Sequence, residues 1–221
     1  MFRSLAVART AAFKPSFSQM RFASKFAVEL QKSLAEEHKY ELENKETPDF
    51  LTEFKSKGIW TIQDTEGQRE VSLKRKFENE NISVIFSTDA ISDAVEEFES
   101  EEEPITPVTV SILVEKDNHE GAMEITAVAQ DETFFIENIA YLKSKAVAHD
   151  NTAEGDWVRR GDFGGPNFSE MDEKLIETFH KYIEERGFDS ELSNFIADYV
   201  VLKEQNEYER WLKNLSDFVA K

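Results

Sequence analysis

The sequence predicts an α+β fold: one antiparallel sheet, with a helix before it and two helices after it. Three observations carry this expectation. Apolar residues recur at helical spacing at Phe26, Leu30, Leu34 and, more loosely, Tyr40. From Ile59 onward the period changes to two, in six runs mostly separated by short polar turns. After Gly165-Pro166 the helical period returns twice, in wide apolar stripes. Short connections imply antiparallel neighbours, because parallel strands need long crossovers.

The elements follow in order. "KFAVELQKSLAEEHKYELEN" predicts the first helix, which Pro48 ends, and "PDFLTEFKSKG" connects it to the sheet. The strands are "IWTIQD", "REVSLKRKF", "NISVIFST", "TPVTVSILVEK", "AMEITAVAQ" and "ETFFIENIAYL". Thr65-Glu66-Gly67 and "DNHEG" mark turns. A weaker seventh strand is expected around Leu142 to Val147 or Trp157 to Arg160. "HDNTAEGDWVRRGDFGGP" reads as a loop from its Gly, Asn and Asp content.

The first of the two closing helices is expected to start with Ser169 as N-cap and Asp172 at the third helical position. Its stripe is Met171, Leu175, Phe179, Tyr182 and Ile183, and Gly187 ends it. The second starts at Asp189 or Ser190 and carries Leu192, Phe195, Ile196, Tyr199 and Leu202. It resumes with Tyr208, Trp211, Leu212, Leu215, Phe218 and Val219. The polar interval "KEQNE" from Lys203 to Glu207 predicts a bend or a change of contact partner.

Charge divides the chain. Residues 1–28 carry Arg3, Arg9, Lys14, Arg21 and Lys25 and no acid. Arg-, Ser- and Ala-rich, acid-free composition is that of a mitochondrial presequence, expected to span residues 1–23, with "RFAS" resembling a matrix-processing site. The rest, residues 24–221, is expected to form a single acidic domain. Removing those five bases from the 26 Lys and Arg leaves 21 against 45 Asp and Glu, a formal charge of −24. So acidic a surface repels phosphate backbones and favours basic partners, so no direct general nucleic-acid binding is expected. The local basic run "LKRKF", Leu73 to Phe77, reads as a strand whose bases pair with neighbouring acids. No apolar run reaches the roughly 18 residues a membrane-spanning helix needs.

"TDAISDAVEEFESEEEP", residues 88–104, holds eight acids and no base between two strands. It reads either as a solvated surface loop or as an anionic arm that captures basic proteins. In the second reading Asp93, Glu96, Glu97, Glu99, Glu101, Glu102 and Glu103 are the candidate contacts. Loose Ca²⁺ or Mg²⁺ binding is a third reading, although the run has no turn-forming Gly and no defined ligand spacing.

Signs of catalysis are missing. The chain has no Cys, so neither disulfides nor thiolate metal sites are available. His38, His119, His149 and His180 share no motif. There is no nucleophile elbow, Walker loop or dinucleotide fingerprint. Asp150 to Gly155 begins like a calcium loop, but its twelfth position is Gly161 where the bidentate Glu should stand. The expectation is a protein that is not an enzyme and needs no cofactor.

One set of residues goes further. Gly165-Pro166-x-Phe168, Met171-Asp172-Glu173-x-Leu175, Phe179-x-x-Tyr182, Arg186-Gly187, Lys203-Glu204 and Tyr208-x-x-Trp211-Leu212-x-x-Leu215 closely resemble the C-terminal signature of the mitochondrial acidic matrix protein family. Its animal member is called complement component 1 q subcomponent-binding protein. The resemblance implies a highly twisted seven-stranded antiparallel sheet flanked by one N-terminal and two C-terminal helices, assembled as a doughnut-shaped homotrimer. It also implies a non-enzymatic adaptor or chaperone of the mitochondrial matrix. Such a protein binds basic clients in translation, ribosome biogenesis and oxidative phosphorylation. The acidic loop here is short compared with that of the animal members, which weakens the transfer of roles assigned to their insertions. A scaffold subunit of a larger mitochondrial assembly and a low-affinity cation buffer are the alternatives.

Overall fold

The computed structural model describes residues 24–45, 48–89, 107–150 and 152–220. Helix α1 spans Lys25–Glu43, and the Ser24 hydroxyl caps it by accepting from the Ala27 amide at 3.1 Å. The connector after Pro48 is itself helical: α2 spans Asp49–Lys57 and stops at Gly58, in the left-handed conformation.

Six strands follow among the described residues: β1 Thr61–Asp64, β2 Glu70–Phe77, β3 Glu80–Ser87, β4 Val108–Lys116, β5 Ala122–Gln130 and β6 Thr133–Leu142. They lie side by side in chain order, each antiparallel to the next. Alternation decides which face is dry. Val71, Leu73, Val84, Phe86, Val110, Ile112, Ile125 and Ala127 point to one side and are buried. Ser72, Lys74, Ser83, Ile85, Ser111 and Thr126 alternate with them on the other side and are more exposed.

The two segments proposed for a seventh strand are not strands. Lys145–Ala148 forms a short helix, α3, capped by Ser144. Ala153–Gly161 forms α4, so the long loop read from residues 149–166 is interrupted by a helix. Thr152 caps α4 by accepting from Gly155, and Arg159 Nη1 reaches back to the carbonyls of Val147 and Asp150. Capping and that return contact override the poor helix propensity of Gly155.

The start of the next helix also differs from the expectation. Residues Phe168–Glu170 make a 3-10 turn capped by Asn167, and α5 runs Glu173–Glu185 with Asp172, not Ser169, as N-cap. The Asp172 carboxylate accepts from the amides of Lys174 and Leu175. A carboxylate there also faces the positive end of the helix dipole, which a hydroxyl does not exploit.

Gly187 closes α5 as expected, at φ +84°. The Gly187 amide bonds the Glu184 carbonyl and the Phe188 amide bonds the Ile183 carbonyl, the two bonds of a Schellman ending. Gly165 turns the chain at φ +93° where a Cβ would lie 2.2 Å from the Ile139 carbonyl oxygen, so the crossing over β6 requires glycine.

The last helix, α6, is one unbroken element from Ser190 to Val219. Its first half covers the sheet: Leu192, Phe195, Ile196, Tyr199 and Val200 are buried. Phe54 of α2 stacks on Phe195 at 3.5 Å between ring centroids. Fully burying one such aliphatic or aromatic side chain contributes about 1.5–3 kcal/mol. The second half packs along α1, with Leu212 and Leu34 buried. The interval Lys203–Glu207 is therefore a change of contact partner within a continuous helix.

Candidate binding surfaces

Two surfaces follow from this arrangement, and a polar clasp holds them in place. The clasp lies where the polar interval of α6 meets the β1–β2 turn. Lys203 is 2% exposed. Its Nζ donates to Asp64 Oδ1 at 2.5 Å, to Glu207 Oε1 at 2.7 Å and to the Thr65 carbonyl at 3.0 Å. Burial opposes its charge, but the two carboxylates outweigh burial and raise its pKa. Tyr199 donates to Asp64 Oδ2 at 3.0 Å, and burial with that carboxylate pushes its hydroxyl well up.

Glu207 accepts from the Gly67 amide with both oxygens, at 3.1 and 3.0 Å. Burial pushes its carboxyl upward. Arg210, Lys203 and the Gly67 amide prevail and hold it at about 2. Asp64, Lys203, Glu207 and Arg210 line a polar cleft of about 740 Å³ bounded by α1, the β1–β2 turn and α6. Lys45 closes it by donating to Glu209 Oε2 at 2.8 Å and Asn206 at 2.9 Å.

The first surface is the outer side of α1. The sequence places Phe26, Leu30, Leu34 and, more loosely, Tyr40 at helical spacing. Of these only Leu34 is buried; Phe26 is 77% exposed and Tyr40 62%. The seam against α6 is made instead by Ala27, Gln31, Leu34, His38 and Glu41, the residues of α1 with least exposure. Polar bonds hold it: Gln205 to Glu41 at 2.7 Å and Tyr208 to Glu37 at 3.4 Å. An apolar stripe of Phe26, Leu30 and Tyr40 is thus left in solvent on one flank of the seam and Val28 and Leu42 on the other, and Trp211 and Phe218 of α6 are exposed as well.

The second surface is the sheet end from which the acidic segment leaves. Of that segment only Thr88 and Asp89 are described; Asp93, Glu96, Glu97, Glu99, Glu101, Glu102 and Glu103 lie outside the described residues, as does the expected presequence. Asp89 pairs with Arg69 at 2.5 Å and accepts from Ser87 at 3.1 Å. The strand register puts Glu70 opposite Ser87 and Val108 opposite Ala129, so the Asp131–Glu132 turn is at the same end. Further acids therefore flank the point of departure.

The basic run turns out divided between the two faces of β2. Lys76 pairs with Asp117 at 2.6 Å, as read from the sequence. Arg75 points inward instead, lies over the Trp60 and Phe77 rings and donates to the Arg186 carbonyl at 2.6 Å. Arg186 in turn donates to buried Glu80 at 2.7 Å, and Lys116 and Tyr182 add to the same carboxylate. Burial pushes Glu80 up, and these partners more than reverse it. Among the described residues no group of three or more His, Asp or Glu side chains is placed to hold a metal ion. None of the described helices is long and apolar enough to cross a membrane.

Lys203 escaped sequence reasoning because a lysine flanked by Glu204 reads as solvent-facing. Its signal was spacing: it follows Ile196 and Tyr199 at intervals of three and four, in line with the buried stripe, with Glu207 one turn on.

Residues 34–219 match the family model MAM33, described as mitochondrial glycoprotein. The mitochondrial acidic protein mam33 of Schizosaccharomyces pombe is 32% identical over 185 residues, covering 72% of this chain and 68% of that protein. An uncharacterised mitochondrial protein of Arabidopsis thaliana is 29% identical over 161 residues, covering 72% of this chain and 61% of its own length. Among solved structures, a hypothetical protein of Leishmania major, described as a sequence homologue of human p32, superposes with a TM-score of 0.70 at 22% identity. The match covers 88% of this chain and 99% of that one. The p22 protein of Trypanosoma brucei superposes with a TM-score of 0.70 at 21% identity, over 89% and 100% of the two chains.

Proposed function

Because the chain belongs to the MAM33 mitochondrial glycoprotein family, we propose that it is a non-enzymatic acidic adaptor or chaperone of the mitochondrial matrix. It acts as a homotrimer that binds basic client proteins. The observation that carries this reading is the excess of acid, 45 Asp and Glu against 26 Lys and Arg, with all residues before Glu29 free of acid. Basic ribosomal and respiratory-complex proteins before assembly are clients of matching charge, which ties the protein to mitochondrial translation, ribosome biogenesis and oxidative phosphorylation. The acidic segment, from Asp93 through Glu103, makes first contact. Association is fast and salt-sensitive, because charge of one sign steers encounter and is screened within about 8 Å at physiological ionic strength. The exposed stripe of α1, with Trp211 and Phe218, supports the trimer, since such surface needs cover from another copy.

The same stripe favours a second reading, in which the assembly is a fixed scaffold subunit and the acids keep it soluble. Affinity purification from mitochondria, split between low and high salt, separates the two. Basic proteins lost at high salt support the chaperone. A constant set retained at high salt supports the scaffold. Retention of the basic proteins after Glu96, Glu97, Glu99, Glu101, Glu102 and Glu103 are all changed to Lys would remove the acidic segment from the mechanism.

A further inference from the structure

At the end of the sheet away from the acidic segment, a cavity of about 300 Å³ opens between α5 and the β4–β5 turn. Its lining is mostly apolar and includes Val114, Ala122, Met123, Tyr141, Phe179 and the ring of Tyr182. Gly121 shapes one wall. A Cβ there would meet the Tyr141 hydroxyl at 2.4 Å, so the tyrosine lies against bare backbone. The Tyr141 ring meets the His119 ring edge-on at 6.1 Å.

Three lining side chains can donate a hydrogen bond: Lys116, His119 and Tyr141. His119 Nδ1 lies 3.0 Å from the Gly121 amide and 3.3 Å from the Gly121 carbonyl; the shorter contact, in which the amide donates, favours the neutral ring with its proton on Nε2. Lys116 is half exposed and only loosely paired, with Nζ 3.4 Å from Glu80 Oε1. Arg186 also donates to Glu80, at 2.7 Å, so the carboxylate keeps a cation when Lys116 turns to a ligand. Tyr182 donates its own proton to Glu80 and adds only its ring to the cavity.

An apolar hollow with a few donors and one cation at its rim has the composition of a small-molecule site. We propose that this cavity binds a small apolar carboxylate, an aromatic or short aliphatic acid. Its apolar body lies against Val114, Met123 and Phe179, and its carboxylate meets Lys116 and His119. The site is separate from the acidic segment and stands independently of the client-binding reading.

The test titrates 2-naphthoate and its uncharged analogue 2-naphthamide into the full chain labelled at methionine methyl groups. The chain has 4 Met, and the Met123 signal is assigned by its loss in Met123→Leu. The proposal expects the Met123 methyl to shift saturably with 2-naphthoate. It expects about tenfold weaker binding of the amide, the worth of one charge-assisted contact. Lys116→Gln brings 2-naphthoate down to the affinity of the amide. An unmoved Met123 signal, or equal affinity for acid and amide in the unaltered protein, overturns the proposal. The second comparison needs no variant, so a Lys116→Gln chain that failed to fold would not shield it.

Discussion

Lys203 and Asp64, 139 positions apart in the chain, meet as an ion pair with Nζ 2.5 Å from Oδ1 and the lysine almost wholly buried. The pair ties the last helix to the first strand, and Glu207 and the Thr65 carbonyl complete the shell. A buried charge deprived of its partner costs far more than the pair contributes while intact. Lys203→Ala is expected to destabilise by about 3–5 kcal/mol, because it leaves both a cavity and two facing carboxylates. Lys203→Met keeps the volume and is expected to cost about half as much. Urea midpoints at neutral pH check both, with the slope unchanged.

Glu207 makes the same clasp sensitive to acid. Its folded-state pKa, about 2, lies below the ordinary 4.5. A depressed carboxyl contributes stability that is fully present above pH 4.5 and disappears as pH falls toward 2. The difference corresponds to at most roughly 3 kcal/mol. Glu207→Gln is therefore expected to lower stability at neutral pH and to flatten its loss between pH 4.5 and 2. Denaturation midpoints measured across that window test the sign.

Neighbouring glycines should behave differently. Gly165 sits at φ +93° with backbone oxygen 2.2 Å from a prospective Cβ, whereas Gly164 faces open space. Gly165→Ala is expected to cost about 2–3 kcal/mol from strain and the clash with Ile139, and Gly164→Ala well under about 1 kcal/mol. Thermal unfolding of the two variants side by side is sufficient, and equal shifts would contradict the crossing over β6.

The solvent-facing stripe of α1 predicts an outcome in mass rather than stability. Phe26 and Leu30 are exposed within one chain, so Phe26→Ser with Leu30→Asp should leave the subunit folded. Light scattering is expected to show three times 25.5 kDa for the unaltered full chain and a drop toward 25.5 kDa for the variant. An unaltered chain that runs as a monomer would sink the homotrimer.

Much of this architecture was legible in the sequence, and the failures have physical causes. Strand alternation from Ile59 to Leu142 located all six observed strands, because a half-buried sheet imposes its period on every residue. The Gly187 ending was legible because few residues other than glycine take that conformation. Period alone found the helical spacing of α1 but could not say what covers each residue: Leu34 is buried within the subunit, and Phe26 and Tyr40 lie outside it. The helix Ala153–Gly161 was hidden by its Gly and by a capping threonine that also suits loops. Lys203 was hidden by its charge: its burial depends on Asp64, brought from β1, as well as on Glu207, and no local window contains Asp64.

The strand order carries a consequence for how the chain is made. Every sheet contact joins neighbours in sequence, so six strands can assemble as soon as residue 142 has emerged. The helix that covers them begins only at Ser190. Between those two moments Val71, Leu73, Val84, Phe86 and Ile112 form a finished but wet hydrophobic wall. A nascent or newly translocated chain is therefore most vulnerable to aggregation late, after its sheet is built and before its last helix arrives.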